Sequence, residues 1–261
     1  MIPDELQQET IKKVYSKLFP HIKKTPLIKS WSLINDIFDT NLFFKMEFLQ
    51  HAGTFKARGA INNVLNLDEE KKQKGITAVS AGNHAIAASY AANKFGLKNK
   101  IFMYNSANQF RVNKCKELKA NLYFTEPHSA FKDVLKASSE EGYSFIHPFD
   151  GAFTMQGTAT LGFEICNQMQ NIDNIIISVG GGGLIGGIGS YIKQKLPKCK
   201  IIGVEPEGAK GLTDSLKIIK ITTMHGIGLK TVPDPKTLKM ESDDFNKFDY
   251  VGFTSQYTKK T

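Results

Sequence analysis

The chain has 261 residues, enough for one large domain or two modest ones, with 41% apolar residues, 23% charged residues and 22 glycines, a globular balance that excludes fibrous and disordered classes. A net charge of +9 attracts anions such as phosphate esters, but the lysines are dispersed, with neither an aromatic-interleaved basic stripe nor zinc-finger spacing, so no nucleic-acid partner is expected. Three widely spaced cysteines, Cys115, Cys166 and Cys199, fit a reducing compartment and supply no Cys-x-x-Cys metal or redox pattern.

In chain order, the acidic start Met1-Ile2-Pro3-Asp4-Glu5 carries no signal or transit peptide, so the chain is expected to be cytoplasmic. Glu5 to Leu18 has helical periodicity and stops at Pro20, and Leu42 to Glu47 suits a strand. Phe55 to Leu67 reads as a helix with Thr54 as its N-cap, which puts Lys56 in the first turn. Strands then alternate with helices: strands at Ile76 to Val79, Ile101 to Tyr104, Asn121 to Thr125 and Tyr143 to His147, helices at Ala85 to Phe95, Arg111 to Leu118 and Pro127 to Glu141. A helix from Met155 to Met169, a strand from Asn174 to Val179, a glycine run, a helix from Leu184 to Lys195 and a strand from Lys200 to Glu205 follow. Ile175 to Ile192 is the longest weakly polar stretch, but seven glycines break it, so no membrane span is expected. Past Pro206 the pattern weakens: Ile218 to Ile221 is a candidate strand, Thr231 to Asp244 is polar, and Tyr250 to Phe253 is the last apolar run. This alternation predicts an α/β fold of two open parallel-sheet domains, a small one at 76–150 inserted into a large one made of 1–75 and 151–261; a single continuous α/β layer is the alternative.

Three segments carry candidate chemistry. Lys56, in Thr54-Phe55-Lys56-Ala57-Arg58-Gly59-Ala60, feels the positive end of its helix and neighbours Arg58, both of which favour the neutral amine that Schiff-base chemistry needs. Ser80-Ala81-Gly82-Asn83-His84 lies where a strand ends and a helix begins, so its amides can hold a carboxylate while Asn83 donates to an oxygen of a planar ligand. Gly180, Gly181, Gly182 and Gly183 follow an apolar strand and precede the Leu184 helix, an arrangement that wraps phosphate without being a Walker A loop. Gly181, Gly183 and Gly186 also spell Gly-x-Gly-x-x-Gly with Glu205 at a ribose-partner distance, which keeps nicotinamide-dependent oxidoreduction open as a rival. No His-Glu-x-x-His or paired-cysteine spacing points to a metal.

Together these segments resemble the fold type II pyridoxal-phosphate enzymes, in particular the threonine/serine dehydratase and serine racemase group. The likeness runs from about residue 20 to 235 and includes Lys24-Thr25-Pro26-Leu27, Phe44-Lys45-Met46-Glu47, Gln156-Gly157-Thr158 and Gly203-Val204-Glu205-Pro206 besides the three segments above. It implies pyridoxal 5′-phosphate bonded to Lys56 as catalytic residue, with Phe55 packed beside it, Asn83 on its phenolic oxygen and Gly180, Gly181, Gly182, Gly183 and Leu184 around its phosphate. Ser80, Ala81, Gly82, Asn83 and His84 would receive the carboxylate of a small hydroxy amino acid, L-serine or L-threonine, for conversion to a 2-keto acid and ammonia. The resemblance also implies a homodimer or higher homo-oligomer.

The departures are as specific as the matches. Ala81 stands where serine racemase has a second serine, and a methyl cannot transfer a proton, so elimination is favoured over racemisation. Thr54 replaces a commoner serine, Met103 to Asn108 lacks two turn-setting prolines, and His225-Gly226-Ile227-Gly228 replaces Asp-Gly-Ile-Ala. For the divalent-cation site of some members, Glu205 and the Ala209 carbonyl match but Gly211 takes the place of an aspartate, so no dedicated metal site is expected. Tyr250 to Thr261 does not supply the Ser/Cys-Gly-Gly-Asn-like segment with which relatives end, so the expectation is a C-terminally truncated chain, either impaired and acting as a binding protein or restored by a complementing polypeptide.

Overall fold

The computed structural model describes residues 2–31 and 41–218, and over these the chain divides into two units, residues 15–148 and residues 2–14 with 149–218. Helix α1 (Gln8–Leu18) runs from one into the other, with Ile11 and Leu18 buried on its apolar side. After it, β1 (Leu27–Lys29) and β2 (Phe43–Lys45) pair as an antiparallel ribbon. Helix α2 (Lys56–Leu65) is next; Phe55 rather than the expected Thr54 stands at its N-cap, and the Thr54 hydroxyl one residue earlier accepts from the Lys56 amide at 3.3 Å.

The start of α2 is fixed by a buried ion pair. Arg58, with no exposed side-chain area, sends Nε and Nη2 to the two oxygens of Glu47 at 2.8 Å each, and Thr25 Oγ1 donates to the same carboxylate at 2.5 Å. Two parallel N–H bonds fix direction as well as distance. Removing one partner strands a buried charge, so Arg58→Met is expected to cost about 3–5 kcal/mol, read as a lowered urea midpoint at unchanged slope.

Helix α3 (Glu69–Lys74) was not expected, because it has no apolar residue to set a period. It is held by polar means: the Asp68 carboxylate accepts from the Lys71 amide at 2.8 Å, acids fill the first turn and lysines the last. The alternation then unrolls as β3 (Ile76–Val79), α4 (Asn83–Lys94), β4 (Asn99–Tyr104), α5 (Gln109–Glu117), β5 (Leu122–Thr125), α6 (Ala130–Glu141) and β6 (Ser144–Phe145). All pairings are parallel, in the order β5-β4-β3-β6. Central β3 is buried at every position, as a strand covered on both faces must be. Helix α6 begins at Ala130 rather than Pro127 and ends at Gly142, whose left-handed φ of 80° closes it.

Ile61 and Val64 of α2 share one core with Ile76 and Ala78 of β3, Ala85, Ala88 and Ala92 of α4, and Ile101 and Met103 of β4. That shared core places residues 15–75 in the unit of β3 to β6, whereas the sequence pattern groups them with the other domain.

The other unit contains α7 (Ala152–Gln168), β7 (Asn174–Ser178), α8 (Gly183–Lys195), β8 (Lys200–Val204) and α9 (Gly211–Ile218), with β7 and β8 parallel. Gln156 and Gln194 donate to the carbonyls of Glu5 and Leu6, tying the amino-terminal turn to α7 and α8. Helix α9 occupies Ile218, which the sequence pattern assigns to a strand; the rest of that strand, His225 and the Tyr250 to Phe253 run lie outside the described residues. Cys115, Cys166 and Cys199 are unpaired and buried, and burial pushes the Cys166 thiol up to about 11. Among the described residues no helix is long and apolar enough to cross a membrane.

Candidate active site

Lys56 is the first residue of α2 and is only partly exposed. Its Nζ donates to the Pro148 carbonyl at 2.5 Å and stands 5.1 Å from the centre of the Phe55 ring. Burial lowers its pKa to about 8. The direction agrees with the sequence expectation, but the cause differs. Arg58 spends its charge on Glu47, and desolvation of the amine alone accounts for the shift.

The Ser80–His84 segment connects the end of β3 to the start of α4, outside the carboxyl end of a parallel strand, where such sheets bind ligands. Ser80 continues the ladder by donating its amide to the Phe102 carbonyl, and its Oγ accepts from the Gly82 amide at 3.0 Å. Among the described residues the amides of Ala81, Asn83 and His84 have no acceptor, nor does the exposed Asn83 carboxamide have a partner. Three backbone donors and one side-chain amide are therefore free at one helix start.

His84 points inward, with Nε2 2.8 Å from the Ile146 carbonyl. A carbonyl only accepts, so Nε2 carries the hydrogen of this bond. Its pKa is pushed down to about 3, first by burial and then by the charges of Lys56 and His147, against the opposing effect of the Ile146 bond. The folded pKa lies below the unfolded 6.5, so this stability is complete above pH 6.5 and declines as pH falls. By about pH 4.5 the loss should reach about 3 kcal/mol, and urea unfolding across that range should show it in the parent and not in His84→Gln.

The second segment lies on the other unit. Gly180 to Gly183 link β7 to α8, and Gly182 holds φ at 86°, which a side chain would strain. Among the described residues the amides of Gly180, Gly181, Gly182, Gly183 and Leu184 have no acceptor. Phe149 supports the loop from below: a Cβ on Gly181 would come within 2.2 Å of its ring, and one on Gly183 within 2.3 Å of its carbonyl oxygen. Thr158 Oγ1 lies 2.8 Å from the Gly183 carbonyl and holds the loop's far end. Five free donors at a helix start form an anion grip.

Residues 18–257 match the pyridoxal-phosphate dependent enzyme family. The chain belongs to that family. Pyridoxal 5′-phosphate is its cofactor, and the observed groups fit that molecule: a buried amine poised near neutrality for the aldehyde, and a side-chain-free grip for the phosphate. The chain is 41% identical over 213 residues to a phenylserine dehydratase of Ralstonia pickettii, covering 77% of this chain and 65% of the relative. It is 38% identical over 210 residues to a catabolic L-threonine dehydratase of Staphylococcus aureus, covering 78% and 60%. Serine racemase from Dictyostelium discoideum has the same fold, with a TM-score of 0.76 at 32% identity over 82% of this chain and 70% of that one. The chain thus spans less than two thirds of the length of the curated relatives it matches. Its parallel sheets flanked by helices are the type II architecture of these pyridoxal-phosphate enzymes.

Glu205 shows what the glycine fingerprint alone misread. Its carboxylate accepts from the Leu212 and Thr213 amides at 2.9 Å each and from the Thr213 hydroxyl, capping α9. Burial acts to raise its pKa, and these hydrogen bonds outweigh it to give a net lowering. Both oxygens already accept bonds within the chain, so Glu205 has a structural role that counts against the nicotinamide rival. The Pro148 and Ile146 carbonyls and the Phe149 support were not foreseen from the sequence, since backbone acceptors and distant packing partners leave no mark in it.

Proposed function

We propose that this protein is a pyridoxal-phosphate-dependent ammonia-lyase that converts L-serine or L-threonine to a 2-keto acid and ammonia. The observation that carries it is Lys56, an amine held against a carbonyl with a pKa of about 8 at the head of a braced helix. At neutral pH about a tenth of such lysines are uncharged, against fewer than one in a thousand at an ordinary pKa. The named activities of the dehydratase relatives, both on β-hydroxy amino acids, support the substrate class.

The bound cofactor supplies an electron sink for the bonds at the substrate Cα. Lys56 is the amine that would hold the cofactor's aldehyde carbon and the base that would take the substrate Cα proton. The free amides of Ala81, Asn83 and His84, with Ser80 and Gly82 shaping the turn, receive the carboxylate, while the Asn83 carboxamide donates to the ring oxygen. Gly180, Gly181, Gly182, Gly183 and Leu184 hold the phosphate, and Phe55 flanks the lysine. The β-hydroxyl would leave as water, taking up one proton to balance the one lost from Cα, and hydrolysis of the released enamine would give the keto acid and ammonia. Buried, neutral His84 orients the loop and has no proton to give at physiological pH.

Solved racemases share this fold, and racemisation is the second reading. It needs a proton donor on the opposite face of the ring, and Ala81 has none to offer. Reconstituting the chain with pyridoxal phosphate and assaying keto acid alongside D-serine tests both readings. Keto acid from L-serine or L-threonine is expected; D-serine without keto acid would reverse the order, and cofactor uptake with neither product would favour a binding protein that needs a complementing polypeptide or a homo-oligomeric partner.

A further inference from the structure

Gly82 is buried at the centre of the loop assigned to the substrate carboxylate, and what lies against it is a cation. A Cβ built on Gly82 would stand 2.6 Å from Arg111 Nη1, 3.1 Å from Cζ and 3.6 Å from Nε. The guanidinium, the exposed end of a flexible side chain, therefore rests where a Cβ at position 82 would stand. Arg111 comes from the first turn of α5, a different element from the loop it covers. Among the described residues it makes no ion pair and its side chain no hydrogen bond, unlike Arg58, whose charge is spent on Glu47. An uncommitted guanidinium on a loop of free amides is a permanent positive charge beside an anion grip.

We infer that Arg111 is a positioning residue that charges the Ser80–His84 loop and strengthens its hold on the substrate carboxylate. The inference rests on the assignment of that loop to the carboxylate. Arg111 contributes through the field at the loop, where its guanidinium lies against the Gly82 backbone. At a few ångströms and the intermediate dielectric of a protein surface, one unit charge changes anion affinity by about tenfold, and the effect weakens with salt.

The test uses the cofactor-loaded protein and glycine, which has the carboxylate but no β-hydroxyl to lose, with binding read from the change in cofactor absorbance. Arg111→Met and Arg111→Gln, which keep bulk and lose charge, should raise the glycine dissociation constant by about tenfold and flatten its dependence on sodium chloride. Arg111→Lys should stay within about threefold of the parent. For L-serine turnover the same variants should raise KM and leave kcat within about twofold. Parent-like glycine binding in Arg111→Met, or equal weakening in Arg111→Lys, would overturn the inference and leave the lyase assignment intact. A parent protein that takes up no cofactor defeats the lyase assignment itself, and the inference with it.

Discussion

Replacing Lys56 with alanine is expected to abolish the visible absorbance of lysine-bound pyridoxal phosphate and to lower keto-acid formation by at least about a thousandfold, the usual scale for a lost nucleophile and base. An absorbance titration of parent and variant, followed by a keto-acid assay, measures both effects. A variant that retained the absorbance would show that another amine carries the cofactor. The same residue governs stability in the cofactor-free chain, with a sign that follows from its depressed pKa. Between pH 8 and 10.5 the unfolded chain binds a proton that the folded chain does not, so folding stability should rise with pH across that window by up to about 3 kcal/mol. Below pH 8 the cost of burying the ammonium is present in full. Lys56→Met should remove the slope and stabilise the cofactor-free protein near neutrality, a gain bought with the whole of its activity.

The second large effect is expected at Gly183. Adding one methyl there sets a Cβ 2.3 Å from the Phe149 carbonyl oxygen and 2.9 Å from its Cα, both backbone atoms with no rotamer to escape by. The start of α8 must shift, at about 1–3 kcal/mol for overpacking, and the amide grip shifts with it. Gly183→Ala should therefore weaken pyridoxal-phosphate binding by about tenfold to a hundredfold, measured by titrating the cofactor and following fluorescence. Gly180→Ala is the matched control, because a Cβ at Gly180 meets nothing within 4 Å. Equal affinities in the two variants would show that the loop does not hold the phosphate.

Strand β3 was legible to the residue, since Ile76–Val79 is apolar at three of four positions and bounded by Gly75 and Ser80. The two loops that follow apolar strands, Ser80–His84 and Gly180–Gly183, were legible for the same reason: strand, small residues and helix make an unmistakable local sequence. Helix α3 was not, because Glu69–Lys74 is stabilised by Asp68 and by charge order rather than by a buried face. Nor was the origin of the Lys56 shift, which is burial of the amine by the fold, with the Arg58 charge paired to a carboxylate eleven residues earlier. Partners contributed from across the fold are where reading along the chain stops.

Both anion grips are made of main-chain N–H groups, which every residue except proline possesses. Mutation can crowd or tilt such a grip, as at Gly183, but only a change to proline deletes a donor. The amine of Lys56 has no such redundancy, for a single codon change removes it. Substitution at a loop position with room for a side chain, such as Gly180, therefore leaves the donors in place, whereas loss of the amine is reached by a change at one position.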